Sequence, residues 1–182
     1  GAGLKNVVVT AGYLETEPAE RLLPFIDAVN VDLKSFNREF YRTEVQGRLE
    51  PVKRFIELAV KHCHVEVTTL VIPGKNDSVQ EIDAIARYLA SLDSDIPLHL
   101  SAYYPTYHYT TAATPAELIE ERVETARKHL RYVYPGNTAA RADTYCSGCN
   151  ALLVERSGYA VRLHNLHDGR CSQCQAPVPF TY

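Results

Sequence analysis

The 182-residue chain contains no methionine. An intact translation product ordinarily starts with one. This chain instead opens Gly1-Ala2-Gly3-Leu4 and runs into Val7-Val8-Val9-Thr10, which reads as the end of a helix entering a buried strand. The expectation is a sequence that begins inside a larger fold; removal of an initiator methionine is the alternative. No apolar run approaches the roughly 18 residues of a membrane span, and no signal peptide is visible. A net charge of -3 provides no basic footprint for nucleic acid and no polybasic membrane patch. There is no Gly-x-Gly-x-x-Gly turn and no phosphate-binding P-loop. Internal repeats and low-complexity stretches are also missing.

Cysteine is scarce but concentrated. Four of the five form two Cys-x-x-Cys pairs, Cys146/Cys149 and Cys171/Cys174, with twenty-one residues between the pairs. Two thiolates from one tight turn can share an ion, and two such turns complete a tetrahedral S4 shell. A closed shell leaves no open position for water, which favours a structural Zn2+ site over a catalytic one. A redox pair, an iron–sulfur cluster and a disulfide framework are the competing readings, and a reducing cytoplasm suits metal ligands better than disulfides. His164 and His167 lie between the pairs and could compete as ligands, although the cysteines suffice. The fifth, Cys63, reads as a core or helix-end thiol.

Hydrophobic residues make up 46% of the chain, enough for one medium domain and a small appendage. Strand-like segments fall at roughly 6–10, 28–33, 64–72, 97–102 and 131–134. Their apolar runs are continuous rather than alternating, which predicts parallel strands buried on both faces. Between them lie helical stripes: Leu49, Val52, Phe55, Ile56, Ala59 and Val60; Val79, Ile82, Ile85, Ala86, Leu89 and Leu92; Leu118, Ile119, Val123, Ala126 and Leu130. Ser78-x-x-Glu81 reads as a capping box, and Thr114-Pro115-Ala116-Glu117 as another with proline at the first helical position. Pro18 opens a further helix over 17–23. Strand–helix alternation predicts an α/β fold with a parallel sheet, either open and doubly wound or a segment of a β/α barrel. The domain reading is 1–135 for this unit, 136–142 for a linker and 143–182 for the four-cysteine module, which is too poor in apolar residues to fold without a staple.

Two further constellations carry polar chemistry. Asp32 and Lys34 close an apolar strand and leave it on the same side, where parallel α/β folds place ligands. They suit a cation or polar ligand, or a strand-end salt bridge. Tyr103, Tyr104, Tyr107, His108 and Tyr109 follow another strand on the same rim; they suit an aromatic ligand, or a surface loop packed on its neighbours. Pro73–Ser78 is a strand-to-helix turn to which no chemistry is assigned. No acid–base constellation is visible along the chain.

The runs Val29–Phe36, Glu39–Arg42, Val65–Ser78 and Leu130–Asn137, in that order, resemble the radical SAM enzyme of the AmmeMemoRadiSam system. That group is similar to pyruvate formate-lyase activating enzymes. The tail from Thr144 through Cys174 resembles its cysteine-rich extension. The resemblance implies a partial (β/α)6 barrel. It also implies S-adenosylmethionine (SAM) on a [4Fe–4S] cluster, cleaved reductively to a 5′-deoxyadenosyl radical. The family's Cys-x3-Cys-x2-Cys motif is absent here and would lie before residue 1, so the chain is expected to be a C-terminal fragment, inactive alone. By the resemblance Asp32 and Lys34 approach the cosubstrate. Thr10 stands in a Thr-Ala-Gly turn where relatives have Thr-Asn-Gly, Thr68 roughly where they use arginine, and Tyr104 where they have histidine. No residue is assigned to the catalytic step itself. The partners implied are the missing N-terminal half and a substrate for which a protein is the nearest analogy. Two other classes compete: a non-catalytic half-barrel whose zinc-ribbon tail docks a partner, and a redox scaffold using both cysteine pairs.

Overall fold

A computed structural model describes residues 3–158 and 160–179 of the chain. Five strands, β1 (Val7–Thr10), β2 (Ala28–Asp32), β3 (His64–Val71), β4 (Leu98–Ala102) and β5 (Val133–Gly136), form one sheet in the order β1-β2-β3-β4-β5. Every neighbouring pair is parallel. That order settles the choice left open by the strand–helix pattern. A doubly wound sheet reverses its strand order at a switch point; here each strand follows its predecessor, and right-handed crossovers then place all the helices on one side. The sheet is a segment of a β/α barrel.

The crossovers are α1 (Thr16–Leu22), a short α2 (Arg38–Phe40) continuing into a π-helical turn at Tyr41–Val45, α3 (Leu49–Ala59), α4 (Val79–Leu92) and α5 (Ala116–Arg127). The apolar stripes of α3, α4 and α5 form the core. Val52, Phe55, Ile56, Ile82, Ile85, Leu89, Ile119 and Val123 are buried with Val29, Val31, Val65, Val67, Leu98 and Leu100 of the sheet. Val79 differs, standing 44% exposed at the start of α4.

Burial on both faces of the sheet is not observed. Strands β2 to β4 alternate buried and half-buried residues. The face away from the helices carries Asn30, Asp32, Glu66, Thr68, His99 and Ser101. These polar side chains interrupt the apolar runs every second residue and line the inner face of the barrel segment. On edge strand β1 the same face presents Val7 and Val9, 64% and 76% exposed.

Two local expectations are corrected. Thr114 does not cap α5, whose first turn follows Pro115. The Thr114 hydroxyl is buried, donating to the Val71 carbonyl at 2.6 Å and accepting from Tyr103 N–H at 3.0 Å, so it ties two strand ends together instead. Strand β5 begins two residues later than expected because Arg131 N–H is bonded to Ser94 O; it runs on through Pro135 and Gly136, where an edge strand tolerates a residue without an N–H.

Beyond β5, β6 (Thr144–Tyr145), β7 (Leu152–Ser157) and β8 (Ala160–Leu163) form an antiparallel sheet, and β9 (Leu166–His167) pairs with β10 (Arg170–Cys171). Their core is small: Cys146, Leu153, Val154 and Cys171. Tyr159 and residues 180–182 of the expected 143–182 module lie outside the described residues. Among the described residues, no helix is long and apolar enough to cross a membrane.

Candidate functional site

Parallel register aligns side chains from distant parts of the chain. Asp32 pairs with Thr68, Thr68 with His99, and His99 with Tyr134. One row across four strands therefore displays a carboxylate, a hydroxyl, an imidazole and a phenol on the inner face. Thr68 donates its hydroxyl to Asn30 Oδ1 at 2.9 Å. Lys34 Nζ lies 2.6 Å from Asp32 Oδ2, each side chain about one-third exposed. The pair thus closes on itself at the strand end, the salt-bridge arrangement, while still facing the opening.

The backbone around this pair is firmly set. Tyr41, buried, accepts from Lys34 N–H through its phenol oxygen at 3.2 Å, and burial pushes that phenol up to about 12. Ser35 donates its hydroxyl to Glu81, whose carboxylate also receives Phe36 N–H. The expected capping box is therefore half made: Ser78 Oγ accepts from Glu81 N–H, and the glutamate side chain secures the β2 loop.

Asp32, Lys34 and Thr68 are brought together; Thr10 and Tyr104 are not. Thr10 pairs with Val31, a residue of the helix-covered face, and its hydroxyl accepts from Gly12 N–H at 3.1 Å. Gly12 follows with φ +62°, and a Cβ there would sit 2.8 Å from Val31 Cγ1; the turn needs glycine. Tyr104 stands on the rim, 56% exposed, donating to Asn137 O at 3.0 Å. The rest of the tyrosine loop is mostly satisfied internally. Tyr103 donates to Tyr109 O, Tyr109 donates to Glu44, and Tyr107 is 92% exposed at the tip.

Sequence reading missed Glu66, His99 and Tyr134. Glu66 Oε2 lies 2.8 Å from His99 Nε2, and Oε1 lies 3.3 Å from His64 Nε2. Hydrogen bonds from the His64 and His99 rings outweigh burial and hold Glu66 well below the ordinary carboxylate range. His99 stacks on Tyr134, ring centroids 5.4 Å apart. Tyr134 shares a 2.9 Å hydrogen bond with Thr144, and the Arg156 guanidinium lies 5.4 Å from its ring. The module thereby touches the inner face. The available signal was alternation: His64-x-Glu66-x-Thr68, and His99 between two leucines.

In the module the four sulfurs lie within 4.8 Å of one another, Cys146 and Cys174 at 3.5 Å, Cys149 and Cys171 at 3.7 Å. Tetrahedral bonds of about 2.3 Å place sulfurs about 3.8 Å apart, so the spacing fits a single ion and is too tight for a four-iron cluster. The two turns are equivalent. Asn150 N–H bonds Cys146 O and Gln175 N–H bonds Cys171 O, both at 2.8 Å, with φ +61° and +62°. Gly148 N–H points at Cys146 Sγ, 3.4 Å away. Burial opposes ionisation of Cys146, but N–H groups of Gly148 and Cys149 and the neighbouring thiols bring it down to about 7. His164 pairs with Glu155 and His167 with Asp168, apart from the sulfurs.

Gln175 occupies a left-handed conformation that costs a residue with a Cβ about 1 kcal/mol relative to glycine. Its side chain repays little, with one 3.4 Å bond to Ser172 O. Gln175→Gly is expected to stabilise the metal-loaded module by about 1 kcal/mol, read as slower metal loss to a chelator. Faster loss would show that the strain lies elsewhere.

The remaining cysteine, Cys63, lies near the end of α3 with its Sγ 3.6 Å from Ala59 O. Among the described residues no three-cysteine turn lies near the inner face, so the residues present do not fit the ligand set of a SAM-binding [4Fe–4S] cluster.

A parallel barrel segment with a polar inner row, followed by a module whose four cysteines could hold a metal ion, defines the class. No family model matches the chain. It is 38% identical over 180 residues to an uncharacterised protein of Methanocaldococcus jannaschii, covering 94% of this chain and 53% of that one. It is 31% identical over 130 residues to an isethionate sulfite-lyase activating enzyme of Oleidesulfovibrio alaskensis, covering 68% and 42%. The chain thus spans about half the length of the curated relatives it matches. A domain of a pyruvate-formate lyase-activating enzyme from Bacteroides vulgatus superposes with a TM-score of 0.62 at 18% identity, over 72% of this chain and 81% of that one; this last likeness concerns the fold. A second isethionate sulfite-lyase activating enzyme, from Desulfovibrio desulfuricans, is 27% identical over 89 residues, covering 47% of this chain and 28% of that one.

Proposed function

We propose that the chain is the C-terminal part of a radical SAM enzyme of activating-enzyme type, and that it binds and orients SAM without supplying the cluster. The observation that carries this is the Asp32–Lys34 pair beside Thr68 on the inner face of a barrel segment whose relatives include isethionate sulfite-lyase activating enzymes. The family reaction, reductive cleavage of SAM to a 5′-deoxyadenosyl radical, needs cluster ligands that these residues do not provide, so no step of it is assigned to them. Their part is positional. Asp32 would meet the cosubstrate's ammonium or hydroxyl groups once Lys34 swings aside, and Thr68 would hold its polar edge. Thr10 and Tyr104 would act from the rim.

The exposed Val7 and Val9 on edge strand β1 favour a further β/α unit as the partner that continues the barrel. Membership of the AmmeMemoRadiSam group rests on the sequence resemblance of Val29–Phe36, Glu39–Arg42, Val65–Ser78 and Leu130–Asn137. The ion in the module would be Zn2+, held structurally, and four free thiolates suit a reducing cytoplasm.

Calorimetry with SAM tests the binding role: Asp32→Asn should weaken binding by about ten-fold, the equivalent of one charge-assisted hydrogen bond. Under reducing conditions the 182-residue chain should form no 5′-deoxyadenosine. SAM cleavage by the chain alone, or SAM binding indifferent to Asp32, would overturn the assignment.

A further inference from the structure

The inner face carries an imidazole with a carboxylate on one of its ring nitrogens. Glu66 is held ionised by its two histidine partners, and an ionised carboxylate only accepts hydrogen bonds. Nε2 of His99, 2.8 Å from Glu66 Oε2, must therefore carry the proton. In the neutral ring the other nitrogen, Nδ1, then holds a lone pair. Among the described residues nothing hydrogen-bonds to that nitrogen, and the side chain is 31% exposed.

The ring is also held still. One face stacks on Tyr134, with ring planes 29° apart. Tyr134 is fixed in turn by Thr144 and lies beside the Arg156 guanidinium. Arg156 is anchored by donating to Ala142 O at 2.7 Å and Thr144 Oγ1 at 2.8 Å. These residues line a cavity of about 390 Å³ between the inner face and the module, polar at Glu66 and His99 and apolar at Val161 and Leu163. A group that merely filled space would not need its tautomer set by an ionised carboxylate.

We propose that this cavity is a ligand site in which His99 Nδ1 accepts a hydrogen bond from a hydroxyl or ammonium group of a small amphiphilic molecule. Glu66 is the positioning residue, and the four-cysteine module supplies the opposite wall. The site lies two strands from Asp32. At about 4.8 Å per strand that is about 10 Å, so the site stands or falls separately from the SAM assignment.

The experiment is nitrogen-15 NMR of the histidine rings in the zinc-loaded chain, with His99→Gln used to assign the His99 signals. The expected result is His99 present almost wholly as the Nε2–H tautomer. Glu66→Gln should give a mixture of tautomers, because an amide can donate as well as accept; Glu66→Asp, which withdraws the carboxylate by one methylene, serves if the first variant does not fold. Ethanolamine, which offers both donor types, should then move the Nδ1 signal saturably in the unmodified chain and not in the variant. An Nδ1–H tautomer, a tautomer unchanged by both Glu66 variants, or an Nδ1 signal that ethanolamine does not saturate would each overturn the proposal.

Discussion

Cys171→Ser should release the module's metal and unfold residues 143–179 while leaving the five-stranded sheet folded. Cys171 is fully buried and serves two roles at once. Its sulfur is one of the four in the ligand group, and its side chain packs in a core whose other members are Cys146, Leu153 and Val154. Burying a leucine or valine contributes about 1.5–3 kcal/mol, and two such residues cannot order a segment this long. Structural zinc supplies about 10–16 kcal/mol in small domains, so folding of the module and metal binding should be one event. Metal content per chain should fall from one to near zero, and limited proteolysis within 143–179 should accelerate by at least ten-fold.

The effect should depend on which cysteine is replaced. Cys149 and Cys174 are exposed, and a water molecule can take the vacated position there. Serine at either should weaken metal retention less than at Cys171. Equal losses at all four positions would show that burial does not matter to the site. A Cys171→Ser chain that kept its ion and its protease resistance would defeat the coupling argument outright.

Most of the fold was legible from local chemistry. The apolar stripes of α3, α4 and α5 pack as their 3.6-residue spacing predicts, since a helical face is set by residues close in the chain. The clustering of the four cysteines was legible for the same reason, because each Cys-x-x-Cys turn is self-contained. Gln175 shows the limit. Glutamine does not favour a left-handed turn, yet the turn repeats the first one bond for bond, so the geometry demanded by shared sulfurs prevails over residue preference.

What could not be read was anything requiring register. The choice between barrel segment and doubly wound sheet rests on strand order, which no single element encodes. The row Asp32–Thr68–His99–Tyr134 joins residues up to about one hundred positions apart, and only parallel pairing reveals that they are neighbours. Thr114 was misread because its sequence context suits a helix cap, while two strand ends competed for the same hydroxyl and won. The polar alternation in β3 was the one local clue to an inner face, and the emphasis on continuous apolar runs hid it.

Asn76 is expected to be the most sensitive polar residue of the barrel segment. It lies in the Pro73–Ser78 turn, which shows no chemistry in sequence. Only 2% of it is exposed, and its amide serves three backbone groups: Oδ1 accepts from Ile72 N–H at 2.7 Å, and Nδ2 donates to Lys34 O at 2.7 Å and Leu70 O at 2.9 Å. Asn76→Ala strands all three. Each buried group left without a partner costs about 1–3 kcal/mol, and some relief comes from water entering at the rim, so a loss of about 3–5 kcal/mol is expected in chemical denaturation. For a chain of this size that lowers Tm by about 10 °C. Asn76→Asp separates donor from acceptor. Its carboxylate keeps the bond to Ile72 N–H but sets negative charge against two carbonyl oxygens, so at pH 7 it should be at least as damaging as alanine. Those carbonyls and burial raise the pKa of the new carboxyl, because the protonated form can donate to one of them. A group with a raised folded-state pKa contributes stability at low pH and loses it as pH rises through that value; the aspartate variant should therefore recover part of its loss between pH 7 and pH 5, and the alanine variant should not. Since Lys34 hangs from Asn76 through its carbonyl, both variants should also loosen the Asp32–Lys34 pair and weaken SAM binding. An alanine variant within about 1 kcal/mol of the parent, or an aspartate variant with no pH dependence of its own, would show that the three bonds do not hold the rim.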